Sequence, residues 1–216
     1  MILRAEHTRT KEIVLAAAST ALLVGGCNSS DPQGSATDGP LSSGLGSGGN
    51  SLDAPQGEAV WSGLFGSLVL CTTDGSEVTL TGVDHELGAG RPVSITTQLR
   101  HVDSDSDSDT TRRGQAWDPV LAFVGTYDDL SPQKIRSDAI GPVAGARVSG
   151  PCDKIGPGEA YDEILTTVTT GRSGAWIKAS IVRYQANGET RELRIPWTYT
   201  TCGSALDRRA GCKPST

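Results

Sequence analysis

Apolar and polar residues alternate with a period of two along much of the second half of this chain. Val93, Ile95, Thr97 and Leu99 fall on one face of an extended segment, and Ser94, Thr96, Gln98 and Arg100 on the other. From Leu193 to Tyr199 the odd positions are apolar and the even ones are polar or Pro196. A strand with one buried and one wetted face carries this pattern, as in an antiparallel sheet. Further short runs rich in Val, Ile, Thr and aromatics lie between clusters of Gly, Pro, Asn and Asp. The predicted strands are Ser67–Cys71, Glu77–Val83, Pro92–Arg100, Val120–Gly125, Ala146–Ser149, Glu163–Thr169, Trp176–Tyr184 and Thr190–Thr200. Past Gly57, no stretch of a dozen residues keeps a helical period without a Gly or Pro break. Eight or so short strands predict an all-β, antiparallel, immunoglobulin-like β-sandwich, with a β-barrel as the alternative.

The last hairpin allows a finer expectation. Asn187-Gly188 favours a two-residue turn, but that register sets Lys178 beside Trp197 on the apolar face. A three-residue loop, Ala186 to Gly188, instead pairs Ile181 with Leu193, Ala179 with Ile195 and Ile177 with Trp197. Because a one-residue slip sends every side chain to the opposite face, the three-residue loop is expected. Pro196 cannot donate to a ladder, which predicts an edge or a bulge there.

The N-terminal quarter has a different pattern. Arg4, Arg9 and Lys11 precede an apolar run from Ile13 to Val24, and Gly25, Gly26 and Cys27 follow. A charged start, a short apolar run and a small-residue exit are the parts of an export signal, and the run is short of the ~20 residues that span a bilayer. Val24-Gly25-Gly26-Cys27 resembles the lipobox of bacterial lipoproteins, with valine where leucine is more usual. The resemblance implies cleavage between Gly26 and Cys27 and a diacylglycerol thioether on Cys27, so that residues 1–26 are a signal peptide. Two acyl chains suffice for stable anchoring where one is marginal. The implied location is the extracytoplasmic face of the cell membrane, with the membrane itself as the first partner.

From Asn28 to Gly57, 17 of 30 residues are Gly, Ser or Pro. Such a composition buries too little apolar surface to offset its ordering entropy, so 27–57 is expected to be a lipidated, disordered tether reaching roughly 30 Å. The folded domain is then 58–216. Its plan of tether, disulfide-bearing β-domain and terminal strand ending in Cys202 is similar to that of small actinobacterial envelope lipoproteins, a resemblance that implies a location and no particular activity.

Charge and cysteine count narrow the chemistry. Removing residues 1–26 leaves 16 basic (19 less 3) and 23 acidic (25 less 2) side chains, a net charge of −7. Without a basic stripe, a nucleic-acid partner is not expected. Four cysteines remain in an oxidising compartment, and Cys71–Cys152 with Cys202–Cys212 is the preferred pairing of three possible ones. No pair has the close spacing of zinc thiolates. Asp103, Asp105, Asp107 and Asp109 echo the start of a calcium loop, but Ser108 stands where glycine belongs and Gly114 where glutamate belongs. A solvated acidic loop is expected there, with no metal and no cofactor. Trp117 beside it is expected to plug the core, or else to face a ligand.

Catalysis has little support. The exported part holds only His85 and His101, and no serine sits in a Gly-x-Ser-x-Gly elbow. The expectation is therefore a binding or structural β-domain, whose partner is an envelope protein or a small molecule. The alternative is an envelope hydrolase using His85 or His101. A concave site joining either histidine to an acid and a hydroxyl would favour the enzyme.

Overall fold

A computed structural model describes residues 36–37, 39–44, 48–103, 119–130, 139–156, 158–206 and 210–212. The expected signal region with Cys27, most of the acidic run and Trp117 lie outside the described residues. Among those described, eleven strands form one sheet, almost wholly antiparallel and curled into a half-barrel. The all-β expectation thus holds, but the strands are not eight short ones.

In chain order they are β1 (Ala36–Thr37), β2 (Leu41–Ser43), β3 (Gly48–Leu52), β4 (Val60–Thr72), β5 (Val78–Val102), β6 (Ala122–Val124), β7 (Ala139–Pro142), β8 (Arg147–Val148), β9 (Tyr161–Ala186), β10 (Glu189–Ile195) and β11 (Trp197–Thr201). Strands β5 and β9 each fuse two predicted segments into a single strand, of 25 and 26 residues, and pair along nearly their whole length. Beyond this ribbon, β9 takes β4, β11 and β10 along its other edge, while β5 takes β7 and β8.

The ribbon bends where its register slips repeatedly, between Glu86 and Ser94. Gly90 and Gly174 meet there with φ of 77° and 76°, a left-handed backbone that only glycine adopts cheaply. A Cβ on Gly90 would overlap the carbonyl oxygen of Gly174. Strands turn corners through such bulges, and the two halves of the ribbon then enclose one core. Leu80, Val182 and Tyr184 from one half join Leu99, Ile164 and Val168 from the other, with Leu193 of β10, in a single buried cluster.

Part of the expected disordered tether, 27–57, is strand. Strand β2 pairs with β4, β3 pairs in parallel with β11, and the Leu41 side chain is fully buried. Composition failed because these glycines serve packing: a Cβ on Gly48 would overlap the Trp197 ring, and one on Gly49 the Thr198 hydroxyl. The sheet therefore begins before residue 58.

The last hairpin also departs from expectation. Ala186 pairs with Glu189, Val182 with Leu193 and Ser180 with Ile195, so Asn187-Gly188 is a two-residue turn, with φ of 52° and 81°. The conflict at Lys178 is removed elsewhere. Past Pro196 the register moves by one residue, pairing Tyr199 with Ile177, so the proline break does the work assigned to a longer loop. Leu193, Ile195 and Tyr199 stay buried on both sides of it.

Both preferred disulfides are present, Cys71–Cys152 and Cys202–Cys212. In the chain-entropy picture they stabilise by about 4.5 and roughly 3 kcal/mol. Trp61, Phe65, Tyr184 and Tyr199 are core residues, with Phe65 stacked on Tyr199 at 4.9 Å. Trp197 packs partly buried against the main core and Trp176 against the second disulfide.

Candidate functional site

The end of the ribbon where β5 finishes and β9 begins carries most of the ionisable chemistry. Antiparallel pairing sets Arg100 opposite Glu163, His101 opposite Asp162, and Val102 opposite Tyr161. Side chains of directly paired residues share a face, and successive rungs alternate. Two adjacent cation–carboxylate pairs therefore point to opposite sides of one ribbon.

The first pair points inward. Arg100 Nε lies 3.2 Å from Glu163 Oε2, and both side chains are wholly inaccessible to solvent. Arg100 Nη2 donates to Tyr161 Oη at 2.6 Å, and its guanidinium lies 5.6 Å from the centre of that ring. Glu163 Oε1 accepts the backbone N–H of Ser67 at 2.6 Å. Ser67 is the extra residue of a bulge in β4, between Phe65 and Leu68, and has φ of 71°. The bulge turns the Gly66 carbonyl toward Tyr199, whose hydroxyl donates to it at 3.1 Å. A Cβ on Gly66 would overlap both Glu163 Oε1 and the Val120 carbonyl. Burial, then the nearby Glu163 charge, pushes the Tyr199 hydroxyl well above its ordinary pKa. Every part of this cluster is enclosed, so its role is to lock the sheet.

Sequence patterning placed Val93 on a buried face and Arg100 on a wetted one; Ser94 and Thr96 are exposed as expected, but Val93 is exposed as well and Arg100 is buried. Near the buried Arg100–Glu163 pair, Ser67 in β4 reaches the chain before β6, its Oγ donating to the Val120 carbonyl. One signal could have located the cluster. Arg100 closes one predicted strand with His101 just past it, and Glu163 opens another with Asp162 just before it, so antiparallel pairing matches each base with an acid.

The second pair points outward. His101 Nδ1 is 2.8 Å from Asp162 Oδ1 and its Nε2 is 2.9 Å from Asp103 Oδ1. Partial burial works against a charge on His101, but the hydrogen bonds to Asp162 and Asp103 outweigh it, and the pKa rises above 6.5. Burial raises the Asp162 carboxyl by more than His101 lowers it. Asp162 and His101 border a cleft of about 270 Å³ walled by Leu99, Ala139, Ile140, Pro142 and Ala146, with Arg147 at its edge. Among the described residues, no hydroxyl or thiol lines it.

His85 occupies a different setting. It bridges the two halves of the bent ribbon, with Nε2 3.2 Å from Thr97 Oγ1 and Nδ1 3.3 Å from Ser180 Oγ. Burial lowers its pKa to about 4, against a small opposing effect of Asp84. A neutral imidazole donates from one nitrogen and accepts at the other, and the two hydroxyls can serve both. A second cleft, of about 340 Å³, runs beside it between Val83, Ile95 and Val143.

The structure thus divides what a hydrolase would combine. Among the described residues, His101 has acids and no hydroxyl, and His85 has hydroxyls and no hydrogen-bonded acid. Asp103 is the one member of the acidic run within the described residues; Asp105, Asp107 and Asp109 lie outside them. Among the described residues no cluster of His, Cys, Asp and Glu fits a metal ion, and Cys71, Cys152, Cys202 and Cys212 are consumed as disulfides. No protein-family model matches the chain, and no curated protein matches it either.

Proposed function

We propose that this chain is a cell-envelope protein anchored to the membrane by a lipid on Cys27, and that its β-domain binds or scaffolds and does not hydrolyse. The observation that carries the second part is the occupancy of the two histidines. A general base needs a ring nitrogen directed at a nucleophile, with the other nitrogen held by an acid. Both nitrogens of His101 face carboxylates, and both nitrogens of His85 face hydroxyls. The apolar-walled cleft beside His101 is the candidate ligand site, in keeping with pockets that combine apolar walls and a few polar groups.

The lipid anchor rests on the match of Val24 to Cys27 with the lipobox, supported by the pairing of the other four cysteines, which leaves Cys27 as the odd thiol. Metabolic labelling with a fatty-acid analogue tests the anchor: wild type should be labelled and Cys27→Ser should not. An active-site-directed fluorophosphonate tests the domain. No labelling is expected, and labelling abolished by Ser180→Ala would establish the hydrolase instead.

A further inference from the structure

Strand β11 turns a polar face away from the core. Thr200 pairs with Ser51 of β3 on one side and with Trp176 of β9 on the other, so these three side chains share that face. Thr198, two residues earlier, lies on it as well. All four line a cleft of about 250 Å³. Ala210 and Gly211 form one side of it, and the Cys202–Cys212 disulfide ties that stretch to the end of β11. Gly49 keeps the floor open, since a Cβ there would overlap the Thr198 hydroxyl.

The hydroxyls are not equivalent. Ser51 Oγ donates to the Gly211 carbonyl at 3.2 Å, and Thr198 Oγ1 to the Gly48 carbonyl at 3.4 Å. With their protons committed, both meet a ligand as acceptors. Thr200 is 1% exposed, yet its hydroxyl has no hydrogen-bond partner among the described residues. Buried polar groups are nearly always paired, so an unpaired hydroxyl on the wall of a polar cleft points to a ligand.

Charge narrows the ligand class. Among the described residues no acid lines the cleft, and the Lys178 ammonium lies 5.6 Å from the centre of the Trp176 ring. A cation finds no counter-charge there, and an anion meets hydroxyl oxygens whose protons are already used. A neutral molecule rich in O–H donors fits, and the half-buried Trp176 supplies an apolar surface for its carbon skeleton.

We propose that this cleft binds one neutral saccharide unit, whose hydroxyls donate to Ser51 and Thr198 and pair with Thr200 while its C–H face lies against Trp176. The site shares no lining residue with the clefts beside His101 and His85, and it does not rest on the lipid anchor.

Nitrogen-15 NMR of the full-length chain tests this, with the Trp176 indole N–H assigned by its loss in Trp176→Phe. Glucose, galactose, mannose and N-acetylglucosamine are titrated separately at millimolar concentration, with glycerol as the control. At least one sugar should move the Trp176 signal saturably, and glycerol should not. Thr200→Val keeps the side-chain shape and should weaken that binding about three- to tenfold, the worth of one hydrogen bond. Its melting temperature should not fall, because no internal hydrogen bond is lost. A Trp176 signal unmoved by every sugar, an equal response to glycerol, undiminished binding in Thr200→Val or a lowered melting temperature of that variant would each overturn the proposal.

Discussion

Two neighbouring rungs of the same ribbon carry the same kind of pair and experience opposite physics. Arg100–Glu163 points into the protein and is wholly buried, while His101–Asp162 points to a cleft with the histidine 42% exposed. The inner pair uses a guanidinium that does not deprotonate in proteins, and Glu163 is further held by the Ser67 N–H. It is a lock with a single state. The outer pair uses the one side chain whose charge changes near neutral pH, so it has two. Alternation of a strand decides which is which: one position along the chain separates permanent structure from a titratable contact.

The largest expected effect breaks the inner pair. Glu163→Gln leaves the Arg100 charge buried without its counter-charge, which costs about 3–5 kcal/mol, readable by urea unfolding. Replacing both Arg100 and Glu163 by leucine should recover most of that loss. The recovery stays incomplete by about 1–3 kcal/mol, because the Ser67 N–H loses its acceptor. Complete recovery would show that the bulge does not depend on Glu163.

Gly66→Ala probes the same lock by volume. Its methyl group would overlap Glu163 Oε1 and the Val120 carbonyl, and overpacking of this kind costs about 1–3 kcal/mol. Thermal unfolding should show the loss, whereas alanine at Gly82, where a Cβ meets nothing within 4 Å, should change little.

His85 sharpens the histidine side of the comparison. Its pKa falls from 6.5 to about 4 on folding, so the unfolded chain binds its proton first as pH drops. Its contribution is fully present above 6.5 and is lost between 6.5 and about 4. After allowance for partial exposure the loss is roughly 2 kcal/mol. His85→Gln should flatten that part of the stability curve, and a variant that still loses stability over this range would place the titration elsewhere.

The smallest effect has the opposite sign. His101 has a raised pKa, so its contribution is present below 6.5 and fades as pH rises through the folded value. His101→Gln should lower stability by under about 1 kcal/mol at pH 5, and should leave it unchanged well above the titration. A larger penalty at alkaline than at acid pH would contradict the assignment of its two carboxylate partners.

How far the chain can be read without its fold differs from element to element. The period-two pattern at Val93–Leu99 and Leu193–Tyr199 was enough for an antiparallel all-β domain, although burial follows it closely only at Leu193, Ile195 and Tyr199 and fails at the exposed Val93. The cysteine pairs were legible from spacing, Cys202 and Cys212 being near in sequence and Cys71 and Cys152 the distant pair left over. Neither pattern reports on long-range pairing. That β5 and β9 are continuous through Gly90 and Gly174 depends on two backbones meeting at a bend. That Asn187-Gly188 keeps its two-residue turn depends on Pro196 shifting the register nine residues later.

The candidate site shows the same division. His101 and Asp103 were singled out from the sequence, but Asp162 was not, since it lies 61 residues from His101. Local alternation assigned Arg100 to water, and only the chain folded over that face put it inside. The sequence by itself determined which residues could carry charge and which strands would be amphipathic, because both are properties of neighbouring side chains. The tertiary structure alone decided which charges meet, which are dry and which histidine can change state, because desolvation and pairing belong to residues distant along the chain.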